Sequence, residues 1–140
     1  MNRLPFPLLP AWLRWTLVIA LVAFVFYVSI ITAPPETPID TRPDLIPLDK
    51  WRHFLAYAAI GGSLAYATTN WHGSQRALAL GVFTVTVVYG VGIEYWQSFL
   101  PNRYFSLGDA YANAIGGVLA LVWYVIRPRL EFRPISALIR

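Results

Sequence analysis

Residues 89–113 read YGVGIEYWQSFLPNRYFSLGDAYAN. One carboxylate, Glu94, stands inside an otherwise apolar run, with Gln97 one helical turn later. Pro101, Asn102 and Arg103 break the run, and Ser106, Asp109 and Asn113 open the next one. Ionisable groups inside membrane-length apolar segments are costly, so they are rare and have a specific partner or task. This stretch predicts two membrane-spanning helices, the link between them, and a set of polar groups where they meet.

Working outward, the same apolar-run and break pattern recurs. The chain of 140 residues is 57% hydrophobic and 13% charged, with 16% aromatics including six Trp. Soluble domains carry about 25% charged residues, and Trp and Tyr favour the water–lipid boundary. Runs of about 20 apolar residues cross a bilayer. They predict spans at about 12–33, 50–69, 77–99 and 108–126, within one domain over 1–140. Trp15 to Ala33 carries no charge. It is too long for a signal-peptide core and lacks A-x-A spacing before Pro34, so it reads as an uncleaved span. The segment from Pro34 to Asp49 holds five prolines and four acids against one Arg, and reads as a loop. Gly108, Ala112, Gly116 and Ala120 recur every four residues. Ala59, Ser63 and Ala67 do the same beside Gly61 and Gly62, a spacing that lets helices approach closely in lipid. The expected fold is all-α, a compact bundle of four transmembrane helices in the cell membrane.

The net charge of +4 comes from scattered Arg and Lys that form no basic stripe. They read as topology signals, and nucleic acid is not an expected partner. Arg3, Arg14, Arg76, Arg127, Arg129, Arg133 and Arg140 fall on one side of a four-span arrangement. Arg42, Lys50, Arg52 and Arg103 fall on the other. The excess puts both termini in the cytoplasm. The absence of Cys excludes disulfides, thiolate metal sites and Cys nucleophiles.

Helix order then brings the polar residues to one outer end. Lys50, His53 and Tyr57 share a face at the start of the second span. Glu94 lies roughly 7–8 Å inside the end of the third, at about 1.5 Å per residue. Asp109 and Asn113 share a face at the start of the fourth. Each has a plain structural reading. Asp49 suits a helix cap, Lys50 a snorkelling side chain, His53 an interfacial hydrogen bond, and Asn113 glue between helices. Arg103 suits a headgroup contact, and Asp109 a cap completed with Ser106. Glu94 is too deep for a cap and needs an ion pair or a functional role. As a set, Glu94, His53 and Asp109 are the candidate catalytic residues. Asp49, Lys50, Tyr57, Gln97, Arg103, Ser106 and Asn113 are the candidate ligand-binding residues. Glu94 suits a buried base, and Lys50 with Arg103 suits an anionic headgroup. A divalent metal is conceivable for the His, Glu and Asp, but no H-x-x-x-H or H-E-x-x-H spacing supports one. No metal ligands are assigned on spacing, and the sequence leaves any cofactor unknown.

Three blocks in order, DK-x-x-H-x-x-x-Y from Asp49, YG-x-x-x-E-x-x-Q from Tyr89, and R-x-x-S-x-x-D-x-x-x-N-x-x-G from Arg103, resemble the VanZ-like family of small membrane proteins. The resemblance runs from Asp49 to about Leu121. It implies a multi-span protein. The family is named for a member associated with low-level teicoplanin resistance, and no general reaction comes with it. The expected partners are the lipid bilayer and an anionic lipid headgroup or lipid-linked envelope precursor. The competing expectation is an accessory membrane protein whose polar cluster only staples helices together.

Overall fold

A computed structural model describes residues 3–32, 48–101 and 103–138. The chain is mostly helical. An N-terminal strand, β1 (Leu4–Leu8), leads into α1 (Ala11–Phe26), which is extended by a π-helical turn over Tyr27–Ile31. Then come α2 (Leu48–Ala67), α3 (Gln75–Gln97), α4 (Leu107–Ala120), α5 (Val122–Ile126), a strand β2 (Leu130–Pro134) and a terminal turn α6 (Ile135–Leu138). The acidic proline-rich loop expected at Pro34–Asp49 lies almost wholly outside the described residues.

Three stretches are long and apolar enough to cross a membrane: Ala11–Ile31, Gln75–Gln97 and the joined Leu107–Arg129. The expected second span differs. Its helix, α2, has 20 residues but carries Asp49, Lys50 and Arg52 in its first turns and many Ala, Gly and Ser residues beyond them. The physical reason is its position. α2 packs most extensively on α4 and also on α1 and α3, so much of its surface meets protein and needs small residues more than greasy ones. By contrast, Ile19, Val88 and Val125 stand exposed on the other helices, the natural surface for lipid contact.

The α2–α4 contact is close. A Cβ added at Gly116 would lie 2.5 Å from the Phe54 carbonyl oxygen and 2.9 Å from the Ala58 nitrogen. One at Gly61 would lie 2.6 Å from the Ala120 Cβ. The ladder through Gly116 and Ala120 therefore packs as the spacing implied. On α2 the contacting face differs from the expected Ala59, Ser63 and Ala67. It runs through Tyr57, Ala58 and Gly61, while Ala59 is exposed and Ser63 hydrogen-bonds the Ile60 carbonyl of its own helix at 2.8 Å. The rows are one to two positions apart, which periodicity alone does not resolve.

The all-α expectation needs one addition. β1 and β2 pair in parallel, with Leu4 opposite Leu130, Phe6 opposite Phe132 and Leu8 opposite Pro134. Pro5 and Pro7 hold β1 extended, and a two-stranded ribbon tolerates their missing N–H groups. Phe6 seals the joint with edge-to-face contacts to Tyr66, Trp123 and Phe132 at 6.1, 5.6 and 5.8 Å. The Tyr66 hydroxyl accepts from the Leu9 N–H and donates to the Pro7 carbonyl, both at 2.9 Å.

Arg14, read from sequence as a topology signal, is turned inward and only 3% exposed. It donates to the carbonyls of Tyr66 and Ala67 at 3.0 Å each, and Arg127 donates to that of Thr69 at 2.6 Å. Two guanidiniums thus satisfy carbonyls at the C-terminal end of α2, where the helix dipole favours positive charge.

Candidate functional site

At the opposite end of α2 from these arginines, three helices bring their polar residues together. The first turns of α2 present Lys50 and His53. α3 ends at Gln97, slightly short of the expected Phe99, so Glu94 sits in its last turn. α4 begins one residue early, at Leu107. Its cap is Ser106, whose hydroxyl accepts the Asp109 N–H at 3.2 Å. The backbone half of the expected S-x-x-D cap is therefore formed. The Asp109 side chain faces α2, with its Oδ1 accepting from Lys50 Nζ at 2.5 Å and lying 3.7 Å from His53 Nε2.

His53 joins the cluster on its other side. Its Nδ1 is 3.0 Å from Asn113 Oδ1 and 3.6 Å from Glu94 Oε1. An amide oxygen only accepts, so Nδ1 carries the proton in this contact and Nε2 keeps its lone pair. Asn113 is fully buried. Its Cβ and Nδ2 would lie within 3.1 Å of any Cβ at Gly90, so glycine there is what lets α3 and α4 close around it.

Glu94 is 1% exposed, and neither carboxylate oxygen completes a hydrogen bond among the described residues. The Ser106 backbone and the Asn113 amide lie nearby without satisfying it. Tyr57 is equally buried, and its hydroxyl too lacks a partner among the described residues. Buried polar atoms are nearly always paired, so two unsatisfied residues at one place are informative.

α1 closes the site. The π turn shifts backbone bonding to five residues, with the Thr32 N–H reaching the Tyr27 carbonyl at 3.0 Å, and Gln97 donates to the Ser29 carbonyl at 3.0 Å. Such turns often mark functional positions in helices. A cavity of about 790 Å³ results, lined by Phe24, Val25 and Val28 on one wall and by Lys50, Arg52, His53, Tyr57, Gln97, Arg103, Ser106 and Asp109 elsewhere. Lysine, arginine and aliphatic side chains thus share one space.

Nine of the ten residues singled out from sequence line this cavity or contact residues that do: Glu94, His53, Asp109, Lys50, Tyr57, Gln97, Arg103, Ser106 and Asn113. Asp49 lies in the first turn of α2, and its side chain is outside the described residues. His53, Glu94 and Asp109, separated in sequence, each offer a ligand atom within 4.8 Å of the other two. Sequence reasoning missed Arg52, whose position beside His53 was a usable signal. It also missed the α1 wall, where apolar residues in an apolar helix carry no signal.

The polar arrangement can be set beside known proteins. A family model described as VanZ/LLP1 matches residues 12–128. The chain belongs to the VanZ/LLP1 family. All ten site residues fall inside the matched range. This VanZ/LLP1 chain is also 29% identical, over 130 residues, to an uncharacterized protein of Schizosaccharomyces pombe, covering 89% of this chain and 75% of that one. No solved structure matches it.

Proposed function

We propose that this VanZ/LLP1 protein is a four-span protein of the cell envelope membrane, forming a single domain, whose outward-facing cavity binds the anionic headgroup of an envelope amphiphile. The observation that carries this reading is the cavity lining. Cationic Lys50, Arg52 and Arg103 face the same space as Phe24, Val25 and Val28, a combination that suits a charged head on an apolar tail. Cavities of roughly 300–1,000 Å³ with a few polar groups are typical of small-molecule sites.

Parity supports four crossings. β1 precedes the first span and β2 follows the last, and their pairing supports termini on one side. An even number of crossings supports α2 crossing as well. The Arg bias supports the cytoplasm as that side, which turns the cavity outward. Handling of a lipid-linked cell-wall precursor, and with it tolerance of teicoplanin-type glycopeptides, is the narrower version of this proposal.

The test is binding of phosphatidylglycerol against phosphatidylcholine to the purified full chain, followed by native mass spectrometry. We expect preference for the anionic lipid, weakened about tenfold, or about 1.4 kcal/mol, by Arg103→Ala or Lys50→Ala. Equal retention of both lipids would sink the reading. The competing structural role is favoured by the Lys50–Asp109 and His53–Asn113 contacts, which tie α2 to α4. It predicts no lipid preference and loss of folded protein in Asp109→Asn.

A further inference from the structure

We propose that His53, Glu94 and Asp109 bind a divalent transition-metal ion of the zinc or manganese class at the floor of the cavity. The inference goes beyond headgroup binding and rests on that reading only for access from the cavity mouth.

Three observations carry it. First, one ligand atom from each residue lies within 4.8 Å of the others. Ligand atoms about 2.0–2.2 Å from a shared ion stand roughly 3.3–3.6 Å apart, so small side-chain rotations complete the set. The three residues come from three helices, a rigid frame for such a site.

Second, Glu94 is buried, its Oε1 lies 3.6 Å from His53 Nδ1, and neither of its oxygens has a hydrogen bond among the described residues. A carboxylate out of water needs a partner of opposite charge. The Lys50 ammonium is bonded to Asp109, the His53 ring stands 3.6 Å from Glu94 Oε1, and among the described residues neither the Ser106 backbone nor the Asn113 amide completes a hydrogen bond to the Glu94 oxygens.

Third, the imidazole is oriented as metal-bound imidazoles are. His53 donates Nδ1–H to the buried Asn113 oxygen at 3.0 Å, which leaves the Nε2 lone pair facing Asp109 Oδ1 at 3.7 Å. The Nε2 lone pair then faces Asp109 Oδ1, which also accepts from Lys50 Nζ, and a metal ion between the ring and the carboxylate would take up the unused ring lone pair. A ligating histidine that gives its other N–H to an oxygen is the usual second-shell arrangement. Asn113 is thus a positioning residue.

The donor set selects the ion. One imidazole nitrogen and two carboxylates suit zinc or manganese, and a chain without Cys offers no soft thiolate. Three protein ligands leave a coordination position open, and an oxygen of an anionic headgroup can fill it.

The experiment uses the purified full chain in detergent, stripped with EDTA and dialysed. Mn2+ binding is read by electron paramagnetic resonance and Zn2+ by elemental analysis. One ion per chain is expected, with affinity reduced at least about tenfold in His53→Ala, Glu94→Gln and Asp109→Asn. Should a variant fail to fold, the wild type still decides, because bound Mn2+ must show nitrogen coupling from one imidazole. Absence of stoichiometric metal, binding that the three variants leave unchanged, or Mn2+ without that coupling would each overturn the proposal. Phosphatidylglycerol binding repeated in EDTA separates the two readings. Lipid preference without metal leaves the headgroup site standing and removes the metal, and metal without lipid preference does the reverse.

Discussion

Glu94 is 1% exposed and its two oxygens have no hydrogen-bond partner among the described residues. A buried carboxylate with two unfilled acceptors lowers the stability of the metal-free fold, by about 1–3 kcal/mol for a group of this kind. Glu94→Gln removes the charge at nearly constant shape. In EDTA its thermal unfolding midpoint should equal or exceed that of the wild type, while the stabilisation that added Zn2+ gives the wild type disappears. A clearly lower midpoint in EDTA would mean that the carboxylate is a structural tie. This residue was legible in the sequence because a lone acid in an apolar run has few plain explanations. The His53–Asn113 bond was not, because it depends on how two side chains rotate across two helices. Arg14 misled for a related reason: in sequence, a boundary arginine facing headgroups looks the same as one folded inward onto another helix's carbonyls.

Among the elements, the α2–α4 pair sets the geometry of the cavity, and adjacent glycines of α4 divide the work. Gly116 faces the α2 backbone at distances no Cβ can occupy, whereas a Cβ at Gly117 would make an ordinary 3.4 Å contact with Phe83. Gly116→Ala should therefore lower stability by about 1–3 kcal/mol, while Gly117→Ala stays within about 0.5 kcal/mol. Thermal melts of the two purified variants side by side check this, and equal melts would contradict the packing described. The four-residue ladder made the α4 side of this contact readable. The α2 side was not, since Ala, Gly and Ser occur all around that helix and several rows fit equally well. The same small-residue content lowers the hydropathy of α2 below that of its neighbours. Centrality and apolarity are thus different properties in a helix bundle.

For the whole molecule, the expected arrangement puts both termini on one side and the site on the other. The natural chain has no Cys, so single cysteines report sidedness without background. In oriented vesicles, Arg3→Cys and Ser136→Cys should react with an impermeant maleimide from the same face, and Phe105→Cys from the opposite face. Labelling of Arg3→Cys and Phe105→Cys from one face would invert the proposed access to the site. Helix order was legible because apolar length is a strong local signal, and three of the four expected spans are long and apolar enough to cross a membrane. The pairing of the chain ends was not, since a parallel contact between the first and last strands has no local signature.

That pairing also sets an order of events during synthesis. β1 is made before α1 and its partner β2 only after α5, so Phe6 waits for Trp123 and Phe132 through the insertion of the helices between them. Contacts this distant in sequence form late. The joint therefore closes only around a finished bundle, and a chain stalled before Leu130 carries an open strand edge and an uncovered aromatic ring, the exposed surface by which incomplete membrane proteins aggregate or are recognised for degradation.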